Sequence, residues 1–173
     1  MAEPAEGAKT DARRITSFPP VGDGRTRLLI LGSLPGVISL RRGQYYGNPR
    51  NQFWRLAAEI LGAEMPAAYE QRLATLIAAG VGLWDVVGSA TRTGSLDADI
   101  RGHQPNPLAD YVATLPSLKA VAFNGGAAWN IGRRQLAADP RLELIKLPSS
   151  SPAYTLPFET KVSAWRGLRD VIV

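Results

Sequence analysis

Short apolar runs alternate with longer amphipathic segments along most of the chain. The runs are rich in leucine, valine and alanine and have the length of buried strands rather than helices. They predict strands over residues 27–31, 81–87, 119–125 and 142–148. The segments between them repeat their apolar side chains at helical spacing. They predict helices over residues 52–62, 66–80, 105–117, 126–139 and 158–172.

Regular alternation of strands and helices is typical of a parallel sheet covered on both faces. We therefore predict an α/β fold, a three-layer α/β/α sandwich with a central, mainly parallel, four-stranded sheet. The start of the chain is small, polar and proline-containing, a composition typical of disorder. No internal repeat or linker divides the remainder. We expect a disordered tail over residues 1–16 and a single domain over residues 17–173.

The connection after the first strand, "GSLPGVISLRRGQYYGNPRNQFW", is long and rich in glycine, arginine and aromatic residues. Ligands bind outside the carboxyl ends of strands in open parallel sheets, and long loops are commonly functional. The "YYGNPRNQFW" part supplies rings that can stack on an unstacked base and amides that can pair with a base edge. Phe53 and Trp54 lie at helical spacing, however, so either ring can instead belong to the core.

The loops after other predicted strands also carry polar groups. "PSSSPAY", residues 148–154, offers hydroxyl and N–H groups that can bind phosphate oxygens, although an ordinary turn before a helix is an alternative. "AFNGG" places Asn124 at a strand end beside two glycines, which suits either a ligand contact or a turn. Asp85 ends another strand, where it can orient water or an arginine, cap a helix or form a structural ion pair.

Composition narrows the possible chemistry. The chain has 173 residues, no cysteine and one histidine, His103, which excludes disulfides, thiolate nucleophiles, iron–sulfur clusters and multi-histidine metal sites. Neither the P-loop nor the Rossmann glycine motif is present. We predict no metal and no organic cofactor. The formal net charge of +5 favours a polyanionic partner such as DNA, with a simple bias toward arginine as the alternative.

No apolar run approaches the length of a membrane span, and the first residues lack the apolar core of a signal peptide. We therefore expect a cytoplasmic, nucleoid-associated protein. It is expected to act as a monomer and to make no membrane contact.

Taken together, these segments resemble the uracil-DNA glycosylase superfamily, above all its hypoxanthine-DNA (deoxyinosine) branch and, further off, the mismatch-specific uracil and thymine enzymes. "GSLPG" and "NPRNQFW" align without a gap with "GINPG" and "NPxNRFW" of the mismatch-specific enzymes. "PSSSPAY" is similar to the "MPSSSA" loop of thymine-DNA glycosylases. "QYYGNPRNQFW", "LWDVVGSATRTGSLDADI" and "FNG" are similar to segments of the hypoxanthine branch. The resemblance extends over residues 17–172.

Two positions depart from the superfamily pattern. The water-activating asparagine of "GINPG" corresponds to Leu34, and the histidine of the last motif in the uracil enzymes corresponds to Leu147. In the hypoxanthine branch an asparagine of the "NPRN" segment resembles the replacement, which implies that Asn51 positions the water. A neutral amide would orient water rather than remove its proton. Asn48 and Asp85 are alternatives for this role.

The resemblance implies a monofunctional DNA glycosylase that hydrolyses the N-glycosidic bond of uracil or hypoxanthine flipped out of DNA, the first step of base-excision repair. Phe53 would stack on the base, Tyr46 would wall the pocket, and Asn124 would bind the base edge. Backbone groups of Gly32, Ser33 and Leu34 would line the pocket and stabilise charge on the departing base.

Duplex DNA is the expected partner, with single-stranded DNA as a further substrate. The residues implied on its backbone are Arg41, Arg42, Arg50, Ser149, Ser150 and Ser151, and Tyr154 would fill the gap left in the duplex. The branch favours hypoxanthine, whereas the superfamily, an asparagine-lined pocket and the large ring of Tyr46 favour uracil, so both bases stay open, with uracil preferred. Leu34 and Leu147 keep open a non-catalytic protein that binds damaged bases or abasic sites. An enzyme acting on free nucleosides or nucleotides is a third alternative, but it would not need "PSSSPAY".

Overall fold

The computed structural model describes residues 13–173. It contains a parallel four-stranded sheet, a smaller antiparallel sheet and helices. The elements in chain order are β1 (Arg14–Thr16), β2 (Leu28–Gly32), α1 (Val37–Arg42), α2 (Phe53–Leu61), α3 (Tyr69–Ala78), β3 (Val81–Asp85), β4 (Val87–Thr91), a short 3₁₀ helix (Asp97–Asp99), β5 (Arg101–Pro105), α4 (Leu108–Ala113), β6 (Ala120–Asn124), α5 (Gly126–Leu136), β7 (Glu143–Leu147), α6 (Phe158–Arg166) and α7 (Arg169–Ile172).

The parallel sheet has the strand order β3-β2-β6-β7. Every residue of β2 is buried, as expected of an apolar strand covered on both faces. Its side chains alternate between two cores, because successive residues of a strand point to opposite faces. Leu28 and Ile30 belong to one core and Leu29 to the other. In the register of β2 and β3, Gly32 lies opposite Asp85, so the carboxyl ends of these two strands are level.

Helices cover both faces of this sheet. Helix α2 buries Phe53, Leu56 and Ile60 in the first core, where they meet Trp165 of α6. Helices α4 and α5 contribute to the second core, for example through Leu108. Each fully buried side chain of this size contributes about 1.5–3 kcal/mol relative to an exposed one. The predicted three-layer α/β/α fold with a four-stranded parallel sheet is confirmed.

The antiparallel sheet was not predicted. Its strand order is β1-β4-β5, and β5 is exposed at every position, so it carries no apolar pattern that a sequence reading could detect. The prediction of a disordered tail over residues 1–16 is wrong for Arg14–Thr16. These residues pair with β4, and the Arg14 guanidinium donates to Ser89 Oγ at 2.9 Å. Residues 1–12 lie outside the described residues.

The long connection between β2 and α2 is also more regular than predicted, because it contains α1. This helix has only six residues, begins after Gly36 and ends at Gly43. Gly43 has a φ of 62°, a left-handed conformation that commonly ends helices. One turn and a half of helix gives too short a periodic signal to distinguish from a loop.

Candidate active site

A cavity of about 490 Å³ lies at the carboxyl edge of the parallel sheet. Its volume is within the range of small-molecule sites, roughly 300–1,000 Å³. It is bordered by the ends of β2, β3 and β6 and by the loop after β7. The motifs singled out from the sequence after these four strands therefore meet in one place, as the rule for open parallel sheets predicts.

Gly32 leaves the centre of this cavity open. A Cβ atom on Gly32 would lie 2.6 Å from Asp85 Oδ1 and 3.0 Å from the Tyr46 hydroxyl oxygen, closer than real Cβ contacts allow. A glycine is therefore required here for close approach rather than for an unusual backbone conformation. Gly32 brings a carboxyl group and a phenol to the same small volume.

The next two residues carry backbone donors into the cavity wall. Ser33 and Leu34 both line the cavity. Across residues 13–173, no protein acceptor receives the N–H group of either residue. The Ser33 hydroxyl donates to Asp97 Oδ1 at 2.5 Å, which ties this segment to the 3₁₀ helix. Two neighbouring unused N–H groups can stabilise negative charge on a ligand. The apolar Leu34 side chain cannot bind water.

The aromatic ring that faces the cavity is not the one that was predicted to stack on the base. The rings of Tyr46 and Phe53 stack with centroids 3.9 Å apart and an interplanar angle of 13°. Phe53 is fully buried, packs edge-to-face on Trp54 and Trp165, and does not line the cavity. The prediction that Phe53 stacks directly on a base is therefore wrong, because Tyr46 covers it. Tyr46 is the ring that faces the cavity.

Tyr46 adopts a φ of 53°, the only positive value at a non-glycine position in residues 13–173. Such a conformation is uncommon outside glycine and points to a constraint at this position. Here it accompanies a ring stacked on Phe53 and a hydroxyl in contact with Asn124. Burial raises the pKa of the Tyr46 phenol, so this hydroxyl remains protonated.

Asn124 lines the cavity but uses most of its amide within the protein. Its NH₂ group donates to the Tyr46 hydroxyl at 3.2 Å and to Ser150 Oγ at 2.9 Å, and its carbonyl accepts the Ser150 N–H at 2.9 Å. Both amide hydrogens are therefore engaged, and one lone pair of the carbonyl oxygen is left. Its predicted pairing with a base edge is limited to that one acceptor position.

Asn51 also lines the cavity, together with Asn48. The Asn51 carbonyl oxygen accepts the N–H group of Phe53 at 2.9 Å and thereby caps the start of α2. Asn48 Oδ1 accepts the N–H group of Arg50 at 3.0 Å. Both amides are thus held by the backbone of their own loop. The capping bond fixes the orientation of Asn51 and leaves its second lone pair for another donor.

The serine loop after β7 is braced from within. Ser149 Oγ accepts the N–H group of Ser151, and Ser151 Oγ accepts that of Ala153, so the two hydroxyl hydrogens remain as donors. Ser150 is buried and bound to Asn124, so its predicted contact with a DNA phosphate is wrong. The loop is supported from below by Lys161 of α6, whose buried ammonium group donates to the Ser151 carbonyl at 3.3 Å.

Two exposed apolar side chains flank the cavity mouth. Tyr154 follows the serine loop and is 47% exposed, and Leu96 precedes the 3₁₀ helix and is 52% exposed. Both line the cavity, whereas most large apolar side chains of residues 13–173 are covered. The predicted DNA-contacting Arg50 is exposed, as are Arg41 and Arg42 at the end of α1. Leu96 and Tyr154 therefore present apolar surface at the mouth, whereas the three arginines are exposed but do not line the cavity.

Asp85 is the ionisable group for which the sequence left the most roles open. It is 4% exposed, lines the cavity and has one carboxyl oxygen, Oδ2, with no hydrogen-bond partner in residues 13–173. The ion pairs found in the same range do not include it, so the structural ion pair considered for Asp85 does not form. Burial and the nearby Asp97 raise the pKa of Asp85 to about 7, although the charge of Arg92 opposes this.

The loop over residues 92–100 was missed as part of the site. Its Ser95 hydroxyl accepts the N–H group of Val37 at 2.9 Å, and the Arg92 guanidinium donates to the carbonyl oxygens of Pro35 and Gly94. These bonds hold the loop against the "GSLPG" segment. The sequence feature that could have indicated this loop is its glycine and acidic residues after a strand end. Such residues are common in loops of every kind, so they do not indicate a site by themselves.

Residues 13–173 contain no cluster of three or more histidine, cysteine, aspartate or glutamate side chains that could hold a metal ion. Within the same residues, none of the helices has the length and apolar character needed to cross a membrane.

Comparisons with known proteins show the family and the fold. A sequence model of the uracil DNA glycosylase superfamily matches residues 19–169. A hypoxanthine DNA glycosylase of Methanosarcina barkeri is 45% identical over 109 residues, 62% of this chain and 69% of that protein. One of Methanosarcina acetivorans is 39% identical over 152 residues, 87% and 95% of the two chains. The solution NMR structure of a proposed uracil DNA glycosylase from Methanosarcina acetivorans superposes with a TM-score of 0.82 at 37% identity, covering 92% of this chain and 99% of that one.

Proposed function

Because the chain belongs to the uracil DNA glycosylase superfamily, we propose that it is a DNA glycosylase that hydrolyses the bond between deoxyribose and a deaminated base turned out of DNA. Hypoxanthine is the first candidate, since it is the base named for two similar relatives, and uracil is the second. The observation that carries the proposal is the single cavity at which the loops after β2, β3, β6 and β7 meet.

Base capture is assigned to Tyr46. An aromatic ring stacked on a nucleobase is worth about 1–3 kcal/mol. Tyr46 lines the cavity, and Phe53 supports it from behind at 3.9 Å. A ring braced in this way loses little conformational freedom when a base binds. Phe53 then acts through Tyr46 rather than on the base.

Stabilisation of the negative charge that develops on the departing base is assigned to the N–H groups of Ser33 and Leu34. They lie in the cavity wall and have no acceptor within residues 13–173. Donors held in place before the reaction stabilise charge without reorganisation, and removing one such donor typically costs about 10²–10³ in rate.

Water positioning is assigned to Asn51. Its carbonyl oxygen is oriented by the Phe53 N–H group and keeps one lone pair, which can accept a hydrogen bond from water. An amide is too weak a base to remove the proton fully, so its contribution is orientation. Asn48, on the same loop, is the second candidate.

Binding of the DNA strand is assigned to the cavity mouth. Ser149 and Ser151 keep hydroxyl donors for phosphate oxygens, and Lys161 places a positive charge behind them. Arg50 is exposed on the opposite loop. Tyr154 and Leu96 project apolar surface that can occupy the space left by an extruded nucleotide. Extrusion itself costs a few kcal/mol, and less when the base is mispaired.

The test uses duplexes that contain hypoxanthine·T, U·G and U·A pairs, with alkali to cleave any abasic site. Cleavage of at least one deaminated duplex, and none of the matched normal duplex, is expected. Tight binding without cleavage on all three would support a non-catalytic binder of damaged bases instead. Asn51→Ala is expected to lower turnover while retaining DNA affinity, and unchanged turnover would move the water-positioning role to Asn48.

A further inference from the structure

The roles proposed for Tyr46, Asn51 and the N–H groups of Ser33 and Leu34 do not involve the carboxyl group of Asp85. It lies at the carboxyl end of β3, and its Oδ2 atom is buried without a partner in residues 13–173. An ionised carboxylate in that state is costly, because it has lost water and gained no hydrogen bond. Such a group is either uncharged or awaits a ligand. The cavity that it lines supplies the place for one.

The position of Asp85 is fixed by the sheet. It lies opposite Gly32 in the register of β2 and β3, and the Asn106 side chain donates to its backbone carbonyl at 2.8 Å. Asp85 Oδ1 and the Tyr46 hydroxyl both border the volume that a Cβ on Gly32 would fill. Asp85 therefore lies beside the ring to which base stacking is assigned.

The surroundings of Asp85 favour its neutral form up to about pH 7. Burial and Asp97 raise its pKa to about 7, and Arg92 lowers it. Arg92 donates to backbone carbonyls and makes no ion pair with Asp85 within residues 13–173. The other titratable groups that face it, Tyr45 and Tyr46, are phenols whose pKa values are raised, so they stay neutral.

We propose that Asp85, in its protonated form, is the general acid that donates a proton to the departing base, an inference that rests on the proposed function. As the bond between C1′ and the base nitrogen breaks, its electron pair goes to the base, and the carboxyl proton moves to a heteroatom of the base. Water forms a bond to C1′ and releases a proton to solvent. The Asp85 carboxylate is then reprotonated from solvent, and the base leaves as a neutral molecule.

The alternative role for the same carboxyl group is a general base that removes a proton from water. The two roles require opposite protonation states, so they predict opposite pH dependence. Single-turnover rate constants on a hypoxanthine·T duplex, measured from pH 5.5 to 9, separate them. With a general acid, the rate constant falls in proportion to the protonated fraction above about pH 7.

Two variants sharpen the test. Asp85→Asn keeps the shape and a hydrogen-bond donor but cannot transfer a proton, so we expect a loss of about 10²–10⁴-fold at pH 6 and a flat profile. Asp97→Asn removes the like charge and keeps an acceptor for the Ser33 hydroxyl. It is expected to remain active and to move the fall in rate to lower pH.

The outcomes are distinguishable. A wild-type rate that rises through pH 7 overturns the general-acid role and leaves the proposed function standing. An Asp85→Asn variant that is slower but keeps the wild-type pH profile assigns Asp85 a structural role and also overturns the inference. A wild-type protein that cleaves no deaminated duplex removes both proposals together. Thermal unfolding of each variant shows whether a loss of rate reflects a loss of folding.

Discussion

The two sides of the cavity differ in how completely their polar groups are paired. On one side of Gly32, an amide wall of Tyr46, Asn124 and Ser150 is joined by hydrogen bonds of 2.9–3.2 Å. On the other side, a carboxylate wall consists of Asp85 and Asp97, both of which are influenced by the charge of Arg92. There Asp85 Oδ2 and Arg92 Nη1 have no partner within residues 13–173.

This difference distinguishes polar groups that hold the structure of the cavity from polar groups that are candidates for reaction with a ligand. Paired polar groups stabilise one geometry and have little capacity left for a ligand. Unpaired buried groups are costly, and natural proteins retain few of them, which makes each one a candidate for function. The amide wall therefore holds the serine loop and Tyr46 in place, whereas Asp85 of the carboxylate wall keeps an oxygen without a partner within residues 13–173.

Gly32→Ala is expected to lower the rate strongly, second only to Asp85→Asn, because a Cβ at this position would meet groups of both walls. The added Cβ would overlap Asp85 Oδ1 and the Tyr46 hydroxyl, so both must move. A displacement of about 1 Å at such a site can cost on the order of 100-fold in rate, which single-turnover kinetics would detect. Gly24→Ala is the control, since a Cβ there meets nothing within 4 Å. Equal rates for both variants would contradict the close approach at Gly32.

Asn124→Ala tests the amide wall through stability. It removes three hydrogen bonds and leaves the buried N–H of Ser150 without its acceptor. We expect the free energy of unfolding to fall by about 2–3 kcal/mol in a denaturant titration. Asn130→Ala, at an exposed position of α5, is expected to change it by less than about 0.5 kcal/mol. Similar values for the two variants would mean that the wall contributes little to folding.

Asp85→Asn tests the carboxylate wall through stability as well, but here we expect the substitution to stabilise the protein. The folded pKa of Asp85, about 7, lies above its ordinary value of 3.8, so the folded protein binds more protons than the unfolded chain between these values. The contribution of Asp85 to the free energy of unfolding is fully present below about pH 4, and it is lost as the pH rises through about 7. Asp85→Asn removes that loss, so we expect it to be more stable than wild type at pH 8, by roughly 1–3 kcal/mol. A variant less stable than wild type at pH 8 would show that the carboxylate is stabilising.

The smallest effect is expected at the cavity mouth. Leu96→Ala and Tyr154→Ala remove exposed side chains without disturbing either wall, so folding should be unchanged. Loss of apolar or stacking contact of about 1 kcal/mol corresponds to a roughly fivefold weaker affinity for a duplex with a deaminated base. Val173, also exposed but at the end of the chain, serves as the control position. Affinity unchanged by both mouth variants would place the DNA contact elsewhere.

Much of the fold follows from local patterns. The apolar runs that became β2, β3, β6 and β7 carry their strand signal within five residues each, and most of the helices that cover them, such as α2, α5 and α6, repeat over two or more turns. The antiparallel sheet and α1 lack such a pattern. β5 is exposed throughout, and β1 is stabilised by its pairing with β4, which is distant in the chain.

The sequence by itself determined the parallel sheet and the edge at which ligands bind, since both depend on periodicity and chain order. Only the tertiary structure decided which side chains of that edge are free. Phe53 is hidden because Tyr46, seven residues earlier, folds back over its ring. Asn124 is engaged because the loop after β7 brings Ser150 to it, whereas no hydrogen-bond partner within residues 13–173 reaches Asp85 Oδ2, and the charge of Asp97 raises the pKa of Asp85. Residue type shows what a group can do, but its chemistry depends on what lies beside it in three dimensions.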